Sequence, residues 1–397
     1  MRKRRREALV PEAPSSKLQA CVVLPARNEE DLLPAALYAL AEQKTLAGKP
    51  LSHDAFEILL LINNSTDRTR CVADSFQRLY PSLHLHVVER NFDKSHAHIG
   101  HVRRLLMDEA CRRLETLGRF EGLILSTDSD SRVAPNWICR NADEIARGAE
   151  AVGGRIVLLP CEQDAMDSMT QEIYRYDHLY RRLVGWIENR CDPEPHDPWP
   201  RHYQHFGASL AITPRAYRAA GRMPPRRYLE DVAFYNALVG RDIRLRHSNL
   251  VRVFTAGRLN GRARFGLSRQ LKDWQASRKR LPCLRVESAR FLEELFKTRR
   301  QLRRLWLDHR HIPRNCRVLA DDLAAALGVS AQWLVDRTQT SRYFGLLLSE
   351  VRFYERFREM WPDAVRLEKL ERVVQELRTS FEAARPMHTR SPQLCAV

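Results

Sequence analysis

Between residues 20 and 158 the chain changes its hydrophobic period repeatedly, and no other feature constrains the fold as much. Short β-rich runs occur at 20–24, 56–62, 83–88 and 122–126, and helical patterns separate them at 31–43, 67–79, 100–117 and 135–147. Strands alternating with helices of this length specify βαβ units, and so a mostly parallel sheet covered by helices on both faces. In such a sheet ligands bind beyond the carboxyl ends of the strands. Those ends are where chemistry is to be sought.

After a further run at 152–158 the alternation breaks down. A helix over 164–188 leads into a Pro-rich stretch from Cys191 to Pro200, long enough to be a candidate lid. A strand at 206–212, a helix at 229–239 and two short strands at 243–245 and 250–254 follow. From about Val286 onward the pattern is helical and Arg-rich, with no further strand expected. The expected organisation is a basic flexible tail over 1–17, an α/β domain over 18–280 and a helical accessory domain over 281–397.

Composition limits what such a chain can do. At 44% hydrophobic residues it can build a packed core, which excludes wholesale disorder. Apolar runs such as Ile58–Ile62 fall far short of the roughly 20 residues needed to cross a bilayer, so no transmembrane segment is expected. Nine cysteines without a Cys-x-x-Cys pair suggest neither a zinc ribbon nor a disulfide framework, and a cytoplasmic setting fits them. The net charge of +17 attracts polyanions without choosing among nucleic acid, acidic lipid and phosphorylated small molecules. Arg2 to Arg6 fit either an ordinary polar tail or peripheral contact with an anionic membrane at its inner face.

Three predicted strands deliver polar groups to one edge of the sheet. The first ends in Pro25, Ala26, Arg27, Asn28 and Glu29; the second in Asn63-Asn-Ser-Thr-Asp67; the fourth in Asp128-Ser-Asp130. There is no Gly-x-Gly-x-x-Gly and no Walker loop, so a diphosphate is not held at a helix N-terminus in the Rossmann manner. A divalent cation can neutralise it instead. Asp128 and Asp130 offer hard oxygen ligands suited to Mn²⁺ or Mg²⁺, which would act as a Lewis acid on a leaving diphosphate. A lone Asp-x-Asp also arises as a solvated turn; its place at a strand end favours the ligand reading.

Together with Glu230-Asp231, these motifs stand in the order and approximate spacing of the family-2 glycosyltransferases, which the chain resembles over about two thirds of its length. Gly207-Ala-Ser209, Gly221 to Pro224 and Thr255 to Arg262 fit the same pattern. The resemblance implies a GT-A-like fold, in a soluble, bacterial-type member of the family. It also implies hexosyl transfer from a nucleoside-diphosphate sugar donor to an acceptor hydroxyl, with inversion expected, although retaining enzymes of similar fold also carry an Asp-x-Asp. By the same carry-over the turn from Pro25 to Glu29 holds the nucleoside, with Glu29 near the ribose. Asn63 stands where many members read the base with Asp, so uracil is less secure here. Asp128 touches ribose or metal, Asp130 ligates the metal, Asp231 is the catalytic base and Glu230 shapes the pocket beside it. The chemistry is sound independently, since a carboxylate within reach of a sugar hydroxyl can take its proton as the new bond forms. The pair also suits a helix start for its dipole alone, and the two readings are compatible.

Other signals weigh less. His84, His86, His96, His98 and His101 match no common zinc spacing and read as surface or loop histidines. Arg103 and Arg104 open a helix; each fits a diphosphate contact or, more commonly, a solvated helix face. Gln270 to Trp274 resembles an element of processive synthases but carries Asp273 at its Arg position, which argues against processive export. The stretch from Leu323 to Leu334 resembles half of a helix-turn-helix. It supplies the alternative reading: a non-catalytic sugar-nucleotide fold acting as a scaffold or in nucleic-acid binding. Intact Asp130 and Asp231 argue for the enzyme.

Overall fold

The computed structural model describes residues 8–257, 266–276, 284–308 and 315–384. Elements run β1 (Ala20–Ala26), α1 (Leu33–Ala41), β2 (Phe56–Asn63), α2 (Thr69–Leu79), β3 (His84–Arg90) and α3 (Ile99–Thr116). Next come β4 (Leu123–Thr127), β5 (Ser131–Val133), α4 (Trp137–Ala146), β6 (Ala151–Leu158), α5 (Pro160–Asp164) and α6 (Ser168–Cys191). Then follow β7 (Ser209–Ile212), α7 (Pro214–Ala219), α8 (Glu230–Val239), β8 (Leu245–Thr255) and α9 (Leu267–Ala276). The remainder is β9 (Arg285–Glu287), α10 (Ala289–Leu307), α11 (Asn315–Ala326), α12 (Ala331–Thr340), α13 (Phe344–Glu350), α14 (Phe353–Glu359), α15 (Asp363–Arg366), β10 (Leu367–Lys369) and α16 (Leu370–Ala383).

Packing divides the chain into two units. The first holds the described residues up to Glu162 with Gln204–Leu238 and Ile243–Ser268; the second holds Gln163–Tyr203, Val239–Asp242 and the described residues from Arg269. The sequence-based bounds cut the chain once, near residue 280, and gave α6 to the α/β domain. In the structure its apolar face, with Ile173, Leu183 and Ile187, joins one core with Phe291, Leu295, Val373 and Leu377 of α10 and α16. Periodicity shows that a helix has an apolar face, not which neighbour will cover it.

The first unit is an eight-stranded sheet in the order β3-β2-β1-β4-β7-β6-β8-β5. β3, β2, β1 and β4 are parallel neighbours, whereas β7 pairs antiparallel with both β4 and β6. Strand alternation sends Val22, Leu24, Ile58 and Leu60 to one face, against Leu33, Leu37 and Phe76 of α1 and α2. Cys21, Val23, Leu59 and Leu61 face the other way, onto Val102, Leu106 and Ala110 of α3. This mixed, mostly parallel sheet between helices, followed by a helical C-terminal region, is the fold class expected from the sequence.

Three expectations change. The two strands expected at 243–245 and 250–254 are one strand, β8, whose pairing with β6 slips at Gly154/Arg155; that bulge broke the period in the sequence. The C-terminal region does contain strands, the short antiparallel pair β9 and β10. The tail expected over 1–17 is ordered where described, because the Leu9 and Val10 N–H groups donate to the Glu109 carboxylate and Val10 is buried. Arg2 to Arg6 and the stretch from Arg258 to Arg262 lie outside the described residues. Among the described residues no single helix is long and apolar enough to cross a membrane.

Candidate active site

The turns that follow β1 and β2 are laced together. Asn28, in the left-handed region that Asn tolerates, donates its N–H to Ser65 Oγ at 2.9 Å and accepts from the Thr66 N–H at 2.8 Å. The Glu29 N–H donates to Thr69 Oγ1 at 2.7 Å, and the Glu30 N–H to Asp67 Oδ2 at 3.1 Å. The parallel register Ala26↔Ile62 brings the two turns level. Pro25 and Ala26 are buried in β1, Arg27 and Asn28 are exposed, and Glu29 is buried. Asn63, the last residue of β2, is buried and registers with Arg90 of β3. Beside the turn lies a cleft of about 250 Å³ lined by Asn28, Glu29, Asp31, Leu32, Glu162 and Ala256.

At the end of β4 the carboxylates gather around one guanidinium. Arg103 of α3 is 3% exposed; its Nη2 donates to Asp128 Oδ1 at 2.6 Å and its Nη1 to Glu230 Oε1. Asp231 follows at the start of α8, its Oδ2 accepting from the Gly207 N–H at 3.2 Å and its Oδ1 from the Val232 N–H at 2.8 Å. Asp130 Oδ1 accepts from Ser131 Oγ at 3.2 Å. The antiparallel pairing Thr127↔Ser209 carries Gly207 to the end of β4, where Ser126 Oγ donates to its carbonyl at 2.8 Å. A side chain at Gly207 would force the Arg103 guanidinium to shift, since its Cβ would lie 2.3 Å from Arg103 Nη1. One turn beyond Asp231, Tyr235 stacks on His205 with ring centroids 3.7 Å apart.

The electrostatics follow from this crowding. Burial pushes the Asp128 carboxyl up, Arg103 pulls it back, and Asp130 and Asp231 push it up again, leaving it above the usual carboxylate range. Glu230 is raised in the same way, by burial first and then by Asp231, against the pull of Arg103. Among the described residues no three His, Cys, Asp or Glu side chains are grouped to hold a metal ion by themselves.

Residue by residue, the structure gathers Asp128, Glu230 and Asp231 around Arg103 and its neighbour Gly207, and joins Pro25–Glu29 to the turn after Asn63. Arg103 is the residue that the reading of a solvated helix face missed. A signal was present, because Arg103, Met107, Ala110 and Leu114 share one buried stripe of α3. The Pro-rich stretch is not a lid hanging from the fold: Asp192 and Asp197 within it are buried, paired with Arg299, Arg303 and Arg201.

The model of glycosyl transferase family 2 matches residues 21–193, a segment that carries the β1 turn, Asn63, Arg103 and both aspartates after β4. Residues 21–193 carry a family-2 glycosyltransferase domain. Its sheet is the GT-A-like one expected for such an enzyme. Among solved structures, TarS of S. aureus is 14% identical, with 86% of this chain and 92% of that chain covered at a TM-score of 0.40. The mannosyltransferase PcManGT of Pyrobaculum calidifontis, solved with GDP-Man and Mn2+, is 14% identical over 93% of this chain and 89% of that one, at a TM-score of 0.43. TarS with UDP-GlcNAc gives 13% identity, 86% and 92% coverage and a TM-score of 0.43. No curated protein matches the chain.

Proposed function

We propose that this glycosyltransferase moves a sugar from a nucleoside-diphosphate sugar to an acceptor hydroxyl, with Asp231 as general base and a divalent cation at Asp130 and Asp128. The observation that carries this reading is the crowding of carboxylates at the end of β4: among the described residues Asp128 and Glu230 both pair with the buried Arg103, and Asp130 and Asp231 stand close enough to raise Asp128 further. A divalent ion fits that excess of hard oxygen donors, two carboxylates coming from the chain and the remaining ligands from outside it. Such an ion, Mn²⁺ or Mg²⁺, supplies Lewis-acid stabilisation of the leaving diphosphate.

The chain's own residues do the rest. The turn from Pro25 to Glu29, with Asn63 beside it, receives the nucleoside, and Glu29 lies on the ribose side. Asp128 gives one oxygen to Arg103, and Asp130, two residues on, serves as the principal metal ligand. Glu230 is occupied by the same arginine and is a positioning residue. Asp231 is held by two backbone N–H groups, which fixes its carboxylate in position to take the acceptor's proton. Attack from the face opposite the diphosphate inverts the anomeric centre.

Calorimetry of nucleoside diphosphate binding with Mn²⁺, and again in chelator, tests the donor half. Binding is expected to require the ion and to weaken at least tenfold in Asp130→Ala. Equal affinity in chelator, with Asp130→Ala unaffected, would remove the metal from the reading.

Nucleic-acid binding is the weaker account. α11 and α12 cross at 103°, turning at Gly328, within the roughly 90–120° of a helix-turn-helix. Residues 315–384, however, carry ten Lys and Arg against eleven Asp and Glu, without the positive excess that phosphate contacts require.

A further inference from the structure

The positive charge of the chain is unevenly placed. Residues 201–229 contain six arginines and no Asp or Glu, and they end at the Glu230-Asp231 pair. Four of the six have structural work: Arg201 pairs with Glu188 and Asp197, Arg215 with Glu121, Arg218 with Glu115 and Arg222 with Asp108. Arg226 and Arg227 do not. Both are exposed, and among the described residues neither pairs with a carboxylate. Arg227 Nη2 donates only to the Lys94 carbonyl, at 3.3 Å, and Lys94 is itself an exposed cation without an acidic partner among those residues.

The loop bearing these arginines is fixed in place. It crosses the first turn of α3 so closely that a Cβ at Gly100 would lie 2.0 Å from the Arg226 carbonyl oxygen. Arg103, the cation of the candidate active site, is one turn further along that helix. At the loop's other end Leu229 adopts φ 53, and the next two residues are Glu230 and Asp231. Tyr228 and Leu229 are 45% and 48% exposed, although large apolar side chains are ordinarily covered. His98 feels the same field: burial and the nearby Arg227 and His96 hold its imidazole below the usual value. A cationic lip with an apolar edge therefore stands beside a carboxylate-rich centre. Unpaired guanidiniums are suited to phosphate and carboxylate oxygens.

We infer that Arg226, Arg227 and Lys94 bind an anionic group on the acceptor, so that the accepting hydroxyl belongs to a phosphorylated or carboxylated polyol or saccharide. The inference rests on the proposed transfer reaction for the word acceptor, and the lip selects such molecules over neutral ones carrying the same hydroxyl.

The test uses the full chain and a matched pair of probes, a phosphorylated dextran oligosaccharide and its unphosphorylated counterpart, with nucleoside diphosphate and Mn²⁺ present. The phosphorylated probe is expected to bind, the neutral one at least tenfold more weakly. Arg226→Gln/Arg227→Gln is expected to abolish most of that difference while leaving nucleoside diphosphate affinity unchanged. Arg337→Gln/Arg342→Gln, which removes equal charge from exposed positions in the helical unit, should leave it intact. Equal loss in both double variants overturns the inference, because the binding is then generalised attraction to a basic protein. So does binding of anionic phospholipid vesicles that depends on Arg226 and Arg227 while the oligosaccharide does not bind, since the lip is then a membrane contact. Failure of nucleoside diphosphate to bind the unaltered chain counts against the transfer reaction, and the oligosaccharide measurement is read separately from it.

Discussion

Two buried arginine–carboxylate clusters, one in each unit, use the same side chains to opposite ends. In the helical unit Arg299 meets Asp192 at 2.5 Å and Glu188 at 2.8 Å, Arg303 meets Asp192 and Glu194 at 3.0 and 2.7 Å, and Arg201 meets Glu188 and Asp197 at 2.6 and 2.7 Å. Among the described residues these pairs join three guanidiniums to four carboxylates. Burial pushes Asp192 up, but Arg303 and Arg299 outweigh it and hold the carboxyl below the usual range. In the α/β unit, among the described residues, Arg103 is the guanidinium that pairs with Asp128 and Glu230, with Asp130 and Asp231 close by, and both of its partners are raised. A near-balanced cluster stabilises the charged fold. An unbalanced one holds charge in reserve for a cation or a proton from outside, as a catalytic centre requires.

That contrast is easiest to break at Asp231. Asp231→Asn should lower turnover by about 100- to 10,000-fold, because the amide keeps shape and loses proton affinity. Nucleoside diphosphate affinity and the melting temperature should barely move. Glu230→Gln should be milder; if it proves the more damaging of the two, the roles of the pair are exchanged.

Arg299→Met should do the reverse, costing about 3 kcal/mol of stability by leaving Asp192 buried with a single partner. Denaturant unfolding measures this. Arg103→Met should cost less stability, because Glu230 stays above the usual carboxylate range even with this partner and so gains less from it. A larger loss for Arg103→Met would erase the distinction drawn between the two clusters.

A third buried pair sharpens it through pH. Burial raises Glu57, but the His86 ring at 3.7 Å and the Arg113 guanidinium at 2.6 Å outweigh that and hold it at about 2, below its ordinary 4.5. An acid lowered in the folded state stabilises the protein fully above its unfolded value, and that stability is lost as pH falls through the folded one. Glu57 should thus contribute about 3 kcal/mol above pH 4.5 and lose it progressively towards pH 2. Thermal unfolding between pH 5 and 2 should fall less steeply in Glu57→Gln than in the unaltered chain; parallel curves would contradict the assignment. The smallest effect is expected for Gly207→Ala. Its Cβ would displace the Arg103 guanidinium at an overpacking cost of about 1–3 kcal/mol. Activity should fall with it, and unchanged turnover would show that Arg103 need not hold its position.

The strands β1 to β4 and the turns at their carboxyl ends were legible because their signals are local: apolar runs of strand length, helical periods between them, and polar residues where each run stops. Arg103 was harder to see, since a charged residue on an apolar helix stripe looks like an error of periodicity until its partners are known. Those partners, Asp128 and Glu230, lie 25 and 127 residues away. The sequence by itself determined the α/β class and the acidic residues delivered to one edge of the sheet. The tertiary structure alone decided that β7 runs antiparallel between β4 and β6, bringing Gly207 to the end of β4. It also decided that α6 packs with the C-terminal helices and that one arginine is shared by the carboxylates at the β4 end. Strand order and ion pairing are settled by contacts between distant segments, where burial and charge balance compete, and no local period in the chain records the outcome.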